Sequence, residues 1–161
     1  MASFDDVYLV EQHRAYKLAY LLCGDPLTAE DAVAEAFASV WPRWQRGDVA
    51  DVGTYLRRAV VNQVISGFRR RELERRERAR HRVKQRPRGT EEAAADRQLL
   101  LGALSRLPPR QRAAIVLRYF EDLTEADIAL AMGTSVGTTK AHLSRGLATL
   151  RQILDNSGET L

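Results

Sequence analysis

The chain of 161 residues is long enough for one ordinary domain or two small ones, and its hydrophobic fraction of 45% is typical of a folded globular protein. No segment approaches the roughly 18 apolar residues that a spanning helix needs, and the first six residues carry acid where a secretory signal carries base. We therefore expect a cytoplasmic protein without membrane insertion. The lone Cys23 cannot form an internal disulfide, and His13, His81 and His142 lie far apart in sequence, so no metal site and no cofactor are predicted.

The formal charge of +4 is distributed unevenly along the chain. Residues 1–50 hold four Lys and Arg against eight Asp and Glu, residues 51–95 hold thirteen against six, and residues 96–161 hold eight against seven. A basic segment between two folded units indicates a polyanionic partner such as nucleic acid. A solvated helix face that continues into a tail is the simpler alternative for the same run.

Helical periodicity dominates the sequence, and no period-two alternation typical of a strand persists over five residues. The fold is therefore predicted to be all-α. A first helix is expected over about residues 5–23, because Gly24 is a natural helix stop. Its expected inner positions are Val7, Val10, Leu18, Leu21 and Leu22.

The second predicted helix carries the strongest amphipathic signal in the chain. Its apolar residues recur at the spacing of one helical face, and they are Val33, Ala36, Phe37, Val40, Trp41 and Trp44. Thr28 followed by Asp31 resembles a capping box that would begin this helix. Pro42 is expected to kink or end it.

A third helix is predicted after the polar, glycine-containing loop at residues 46–53. One of its faces is apolar between Leu56 and Phe68. The opposite face carries basic and amide side chains, among them Arg57, Arg58, Asn62, Gln63 and Arg69. A helix that combines an apolar stripe with a basic, amide-bearing face is suited to lie on DNA.

Apolar periodicity is lost between residues 78 and 95, where Pro87 and Gly89 appear. We therefore predict two small helical domains joined by a flexible linker. The first domain is assigned to residues 1–78, the linker to residues 79–95 and the second domain to residues 96–161. Four helices are expected in the second domain.

Residues 125–143 have the spacing of a helix-turn-helix motif. A small residue at Ala129 lets two helices cross closely, Gly133 supplies the positive φ of the turn, and Ser135 can cap the second helix. The alternative is an ordinary helical hairpin. The joint spacing of the three residues favours the DNA-binding motif.

The second helix of this motif would present one face to a DNA major groove. Lys and Arg side chains on that face can reach guanine or phosphate, and a capped helix start suits a phosphate. The capping residue and the outward residues are Ser135, Thr138, Lys140, Ala141, His142, Ser144 and Arg145. Leu143 and Leu147 would face inward. The motif alone indicates only DNA binding, because repressors and activators share it.

A resemblance to a known family adds what spacing cannot. Three segments closely resemble domain four of extracytoplasmic-function sigma factors: residues 107–112 (LPPRQR), 117–129 (LRYFEDLTEADIA) and 135–140 (SVGTTK). The polymerase-binding helix of their domain two resembles residues 29–37 (AEDAVAEAF), and their minus-ten helix resembles residues 55–62 (YLRRAVVN). The matches occur in the same order as in the family, and their residue pattern is similar to that of the actinobacterial SigE-like subgroup.

The resemblance implies that core RNA polymerase and promoter DNA are the partners, with an anti-sigma factor as a further candidate. Asp31 and Glu35 would face the polymerase. The minus-ten element would be contacted by Arg57, Arg58, Asn62, Arg69, Arg70 and Arg71. The helix-turn-helix would read the minus-thirty-five element, and Arg118 would reach its phosphate backbone. No catalytic residue is implied, since the polymerase performs the chemistry.

The sequence departs from the family pattern at four positions. Ala32 and Ala34 stand where Leu and Gln are usual in the polymerase-binding helix, which implies a differently packed interface. His142 stands where Arg is common, which implies altered phosphate contact or promoter preference. Thr139 replaces a usual Val at an inward position, where its hydroxyl can bond the carbonyl of Ser135 one turn back.

Two other function classes are compatible with parts of the sequence. A free-standing helix-turn-helix repressor or activator would use its N-terminal half for dimerisation or sensing, and it would bind DNA tightly without polymerase. An enzyme acting on nucleic acid would need a carboxylate cluster or an activated nucleophile. No such set is evident in the sequence, so we expect no enzymatic activity.

Overall fold

A computed structural model of the protein describes residues 3–77, 91–156 and 158, with side chains described at residues 3–68 and 94–156 and at residue 158. Within these ranges all regular secondary structure is helical, which confirms the predicted all-α fold. The helices are α1 (Phe4–Cys23), α2 (Pro26–Gln45), α3 (Val52–Glu77), α4 (Glu91–Ser105), α5 (Pro109–Tyr119), α6 (Glu125–Met132) and α7 (Val136–Asn156).

Helices α1, α2 and α3 pack against one another and form the first helical unit. Small residues at Ala19, Ala29 and Ala36 are fully buried and allow the helices to approach closely. Larger side chains such as Leu22 and Phe37 fill the space between them. Each such apolar side chain contributes about 1.5 to 3 kcal/mol when it is fully buried.

The apolar face of α1 differs from the predicted one at Val10, which is 74% exposed. The residues that α1 buries are Ala15, Leu18, Ala19, Leu21 and Leu22. At 100° per residue, Val10 lies about 110° from the centre of that buried face, and it precedes Ala15, the first residue that α1 buries, by more than one turn. The prediction that Val10 is an inner residue is therefore wrong. The predicted stop at Gly24 is confirmed, since this residue has a φ of 72°.

The start of α2 also differs from the predicted capping box. Asp25 is the N-cap, and its carboxylate accepts a hydrogen bond from the backbone N–H of Thr28 at 2.9 Å. Pro26 suits the first helical position because its fixed φ is helical and no N–H is needed there. Thr28 is therefore inside the helix, and the prediction that it caps α2 is wrong.

Pro42 does not end α2, which continues to Gln45. Because proline has no N–H, the carbonyl of Ala38, four residues earlier, receives no helical hydrogen bond. Ala38 is exposed, so water can donate to this carbonyl instead. The neighbouring Trp41 is more exposed than the predicted core face required. It stacks instead on Trp44, with ring centroids 6.2 Å apart.

Helices α4 to α7 form the second helical unit, in which α5 is the most deeply buried element. All residues from Arg112 to Leu117 are buried. Helix α4 begins at Glu91, five residues before the predicted domain start. Its first residues are two Glu and three Ala, which have high helix propensity. This propensity outweighs the lack of apolar periodicity in the segment. The rest of the predicted linker lies outside the described residues.

The two helical units contact each other directly. Helix α5 packs against α1 and α3, α6 packs against α3, and α4 packs against α1. The Arg112 Nε atom of α5 donates a buried hydrogen bond of 2.8 Å to the carbonyl of Leu21 in α1. In this arrangement the apolar cores of the units form one continuous cluster.

Candidate nucleic-acid interface

The turn between α6 and α7 has the geometry that the sequence predicted for a helix-turn-helix. Gly133 ends α6 with a φ of 65°, which confirms its predicted role. The N–H of Thr134 donates to the carbonyl of Ala129 at 3.0 Å and closes the turn. Ser135 caps α7, because its hydroxyl accepts from the N–H of Thr138 at 3.1 Å.

Thr139 anchors the first turn of α7 from inside. Its side chain is fully buried, and its hydroxyl donates to the carbonyl of Ser135 at 3.1 Å, as the sequence predicted. The same hydroxyl lies 3.1 Å from that of Thr134. The polar atom is therefore satisfied in the core, and it ties the start of α7 to the preceding turn.

The outer face of α7 is open to solvent at four of the predicted positions. These are Thr138, Lys140, Ser144 and Arg145, whereas Ala141 is half-buried. Lys140 Nζ lies 3.8 Å from a carboxylate oxygen of Glu125. Both partners of this ion pair are substantially exposed, so it is weak and leaves Lys140 free to bind a stronger anion.

His142 does not lie fully on the outer face, which corrects its predicted position. The residue is half-buried, and its Nδ1 atom is buried without a hydrogen-bond partner among the described residues. Burial, assisted by the nearby charges of Arg110 and Arg145, lowers the pKa of His142 below its ordinary value of 6.5. The imidazole is therefore neutral at pH 7 and adds no charge to the surface.

Arg118 lies exposed in the last turn of α5. Its Nη1 atom donates to the carbonyl of Leu123 at 2.8 Å, and the N–H of Leu123 donates to the carbonyl of Leu117. Arg118 thus holds the turn that leads into α6. Its predicted contact with phosphate stays a prediction.

The predicted minus-ten residues fall into three groups. Arg58 and Asn62 are exposed on α3. Arg57 is largely buried instead, with 16% of its side chain exposed and its Nε atom 3.6 Å from a carboxylate oxygen of Glu121. In this arrangement the guanidinium of Arg57 faces a carboxylate, and its predicted contact with phosphate stays a prediction. The side chains of the third group, Arg69, Arg70 and Arg71, lie outside the described residues.

The predicted polymerase-facing carboxylates share one side of α2. Asp31 and Glu35 are both exposed and are spaced by four residues, which places them one helical turn apart. Ala32 is buried in the first helical unit, and Ala34 is exposed. A small residue at position 32 therefore belongs to the packing of α2 against its own unit.

The sequence did not predict the residues that join the two helical units. Arg112, Glu121 and Arg14 had no assigned role, yet all three make contacts between the units. A signal was present in α5, since Arg112 adjoins an unbroken apolar run at residues 113–117. A helix that is apolar on all sides must be covered on all sides.

Neither a membrane span nor a metal cluster is found in the described part of the chain. No helix there is long and apolar enough to cross a bilayer. Nor do three or more His, Cys, Asp and Glu residues within those ranges come together as metal ligands would.

Comparisons with known proteins agree with the two-unit architecture. Residues 8–74 match Sigma-70 region 2, and residues 97–150 match Sigma-70, region 4. The RNA polymerase sigma-E factor of Streptomyces coelicolor is 35% identical over 154 residues, which cover 94% of this chain and 86% of that protein. The ECF RNA polymerase sigma factor SigE of Mycolicibacterium smegmatis is 35% identical over 169 residues, covering 99% and 65% of the two chains.

Two solved structures have the same fold. Sigma factor RpoE of Bartonella quintana, in complex with the anti-sigma factor NepR, matches with a TM-score of 0.77 and 23% identity over 94% of this chain and 96% of that one. Mycobacterium tuberculosis SigJ matches with a TM-score of 0.62 and 26% identity, over 92% and 53% of the two chains. Two joined helical units, the second with a helix-turn-helix, define the class of sigma-70-type factors. Within this class the chain belongs to the extracytoplasmic-function family of RNA polymerase sigma factors.

Proposed function

We propose that this chain binds core RNA polymerase and directs it to promoters by reading DNA at two points. The first helical unit reads the minus-ten element and the second reads the minus-thirty-five element. The observation that carries the proposal is the exposed face of α7, which is held in place by the Gly133 turn and the Ser135 cap. The match of residues 8–74 to Sigma-70 region 2 supports it. Sigma factors are initiation factors rather than enzymes, and the polymerase supplies the chemistry.

At the minus-thirty-five element, α7 enters the major groove with its exposed face. Lys140 and Arg145 supply the cations that can bind guanine edges or phosphates, and Thr138 and Ser144 supply hydroxyls. Ser135 places the N-terminal N–H groups of α7 against a phosphate. Ala141 is small enough to contact a thymine methyl group, and neutral His142 packs beside it.

At the minus-ten element, α3 contacts the DNA with its exposed polar face. Asn62 can hydrogen-bond an unpaired base, and Arg58 can neutralise phosphate. Arg57 joins this surface once it is released from Glu121. Arg69, Arg70 and Arg71 continue the basic run along the same sequence segment.

The polymerase is proposed to bind the acidic side of α2. Asp31 and Glu35 are exposed, and neither forms an ion pair within the described side chains. Two carboxylates one turn apart suit a basic surface on a partner. An anti-sigma factor is a further candidate partner. A protein that acts on promoter DNA together with RNA polymerase acts in the cytoplasm, so the proposed location is cytoplasmic.

The experiment that tests the function is reconstituted transcription. Purified protein added to core polymerase should direct transcription from a cognate promoter, whereas the protein alone should bind that duplex weakly. The second candidate function, a polymerase-independent helix-turn-helix regulator, predicts the opposite result. Nanomolar binding to a palindromic site without polymerase would overturn the sigma-factor proposal.

A further inference from the structure

Cys23 is the single cysteine of the chain, and it is the last residue of α1. The residue is half-buried, so a small reagent in solvent can reach its thiol. Its Sγ atom lies 3.4 Å from the carbonyl oxygen of Asp25, to which the S–H donates a weak hydrogen bond. The reactivity of a thiol at such a position depends on whether its surroundings favour the thiolate.

The guanidinium of Arg112 packs against the same end of α1. Its Nε atom donates to the carbonyl of Leu21 at 2.8 Å, and its Nη2 atom would lie 3.5 Å from a Cβ atom on Gly24. The guanidinium therefore lies beside the backbone on both sides of Cys23. Arg112 is 3% exposed, so water screens its charge much less than it screens that of a surface arginine.

The Nη2 atom of Arg112 is buried without a hydrogen-bond partner among the described residues. A buried guanidinium loses hydration that one backbone carbonyl does not replace, so it favours an anion beside it. Burial lowers the pKa of Arg112 to about 10, and the charge of a Cys23 thiolate acts on it in the opposite direction. This attraction is mutual, so the guanidinium favours the ionised form of the thiol.

Other groups near Cys23 oppose its ionisation less strongly than Arg112 favours it. The end of α1 carries about half a negative charge, but Arg112 carries a full positive charge and already binds one of the carbonyls. The Asp25 carboxylate is engaged by the first turn of α2, and Glu30 is exposed to screening by solvent. The phenols of Tyr16 and Tyr20 do not ionise near pH 7.

We propose that Cys23 is a peroxide-reactive modification site, which Arg112 activates by stabilising the thiolate at the end of α1. The thiolate sulfur attacks one oxygen of hydrogen peroxide, so that an S–O bond forms and the O–O bond breaks. The sulfur is oxidised by two electrons to a sulfenic acid. The second oxygen leaves as hydroxide, which takes up the proton that the thiol had lost and becomes water.

The 161-residue chain holds no second cysteine that could convert this sulfenic acid into an internal disulfide. Its reversal therefore requires a low-molecular-weight thiol, which condenses with the sulfenic acid to a mixed disulfide and releases water. A second molecule of that thiol then restores Cys23 by exchange. None of these steps involves DNA or polymerase, so the modification goes beyond the proposed function and does not depend on it.

Activation is tested by the pH dependence of the reaction of the full chain with iodoacetamide. Because the chain has one thiol, the rate reports Cys23 alone. The pH of half-maximal rate should be lower in the folded wild type than in the urea-unfolded chain by about 1 unit or more, as expected for a thiol beside an opposite charge. This pH reports ionisation, whereas a change in access alone alters the rate without moving it.

Variants of Arg112 identify the source of the effect. Arg112→Met removes the charge and retains most of the bulk, so the half-maximal pH should rise to that of the unfolded chain or above it. Arg112→Lys retains the charge and should stay near the wild type. Peroxide oxidation at pH 7 should be about 3- to 10-fold slower in Arg112→Met, because the loss of thiolate outweighs the higher nucleophilicity of the remainder. Arg151→Met is the matched control, since it removes an exposed charge from α7 and should change neither value.

The product is identified by trapping with dimedone, which adds to sulfenic acids. Peroxide-treated wild type should gain one dimedone adduct by intact-protein mass spectrometry, and glutathione added before dimedone should prevent it. A wild type without an adduct overturns the modification site. A half-maximal pH in the folded wild type that equals or exceeds that of the unfolded chain overturns activation, as does an Arg112→Met variant that matches the wild type. If Arg112→Met loses helix content by circular dichroism, the comparison of folded and unfolded wild type decides.

Discussion

A Cβ atom on Gly146 would lie 2.9 Å from Cγ1 and 3.2 Å from Cδ1 of Ile115, so α5 and α7 touch through a glycine. Ile115 is buried and β-branched, and its side chain has little freedom to move away. We expect Gly146→Ala to lower the free energy of unfolding by about 1 to 3 kcal/mol. This overpacking outweighs the gain of about 1 kcal/mol that alanine brings to a helix interior.

The control for this prediction is Gly102→Ala in α4. Apart from the adjoining backbone of α4, no atom of the described residues lies within 4 Å of the Cβ position there, so the variant should gain about 0.5 to 1 kcal/mol from helix propensity alone. Chemical denaturation of both variants gives the comparison. Equal stabilisation of the two would show that α5 and α7 do not approach as closely as described.

The half-buried His142 should make folding stability depend on pH. Its pKa is lowered in the folded state, so the unfolded chain binds the proton first as the pH falls. At a pH well above the ordinary pKa of 6.5, the titration of His142 therefore does not lower the free energy of unfolding. As the pH falls through 6.5 towards the lower pKa of the folded state, His142 destabilises the fold increasingly. His142→Gln should lose less stability than the wild type between about pH 7.5 and pH 5.5. Parallel pH profiles of the two proteins, measured by thermal unfolding, would contradict this.

Variants of Arg145 and Arg118 should distinguish sequence-specific contacts with bases from non-specific attraction to phosphates. Arg145 is exposed on the outer face of α7, where a guanidinium can form two hydrogen bonds to a guanine. Arg145→Ala should cost about 1 to 3 kcal/mol on the matched minus-thirty-five element and little on a scrambled one. Arg118→Ala should weaken binding to both about equally and flatten the salt dependence.

Initiation-complex affinity on matched and scrambled promoters, at two salt concentrations, provides the measurement. Because Arg118 also holds the turn before α6, the melting temperature of its variant must be recorded alongside. If Arg145→Ala loses affinity equally on both promoters, Arg145 is not a base-reading residue.

The acidic side of α2 is tested by Glu35→Lys. Polymerase binding should fall, because an exposed carboxylate that faces a basic partner becomes a like charge. Helix content should stay the same, and the free energy of unfolding should change by no more than about 0.5 kcal/mol, since exposed charges seldom matter to stability. Asp155→Lys on α7 makes the same charge change away from this side. A Glu35→Lys protein that unfolds while it retains polymerase affinity would make Glu35 a structural residue.

Features governed by local chemistry were predictable from the sequence. The positive φ of Gly133, the cap at Ser135 and the bond from Thr139 to the Ser135 carbonyl each depend on residues within a few positions. The cap of α2 was misassigned because Asp25 and Thr28 are both good capping residues, and only the geometry of Pro26 decides between them.

The contact between the units was beyond local rules. Glu121 and Arg57 are far apart in sequence, and neither carries a pattern that identifies the other. The unbroken apolar run beside Arg112 showed that α5 must be covered, but it did not show by what. Long-range pairs of this kind depend on how the two units are oriented, which periodicity does not encode.

Both tryptophans of the chain, Trp41 and Trp44, lie at one end of the first helical unit. Phe4 packs against them, with ring centroids 4.5 Å and 5.6 Å away. Tryptophan fluorescence is therefore an intrinsic reporter of the first unit alone, while circular dichroism reports helices from both. Coincident melting curves from the two signals would mean that the units unfold as one cooperative block, and separated curves would mean that each melts independently.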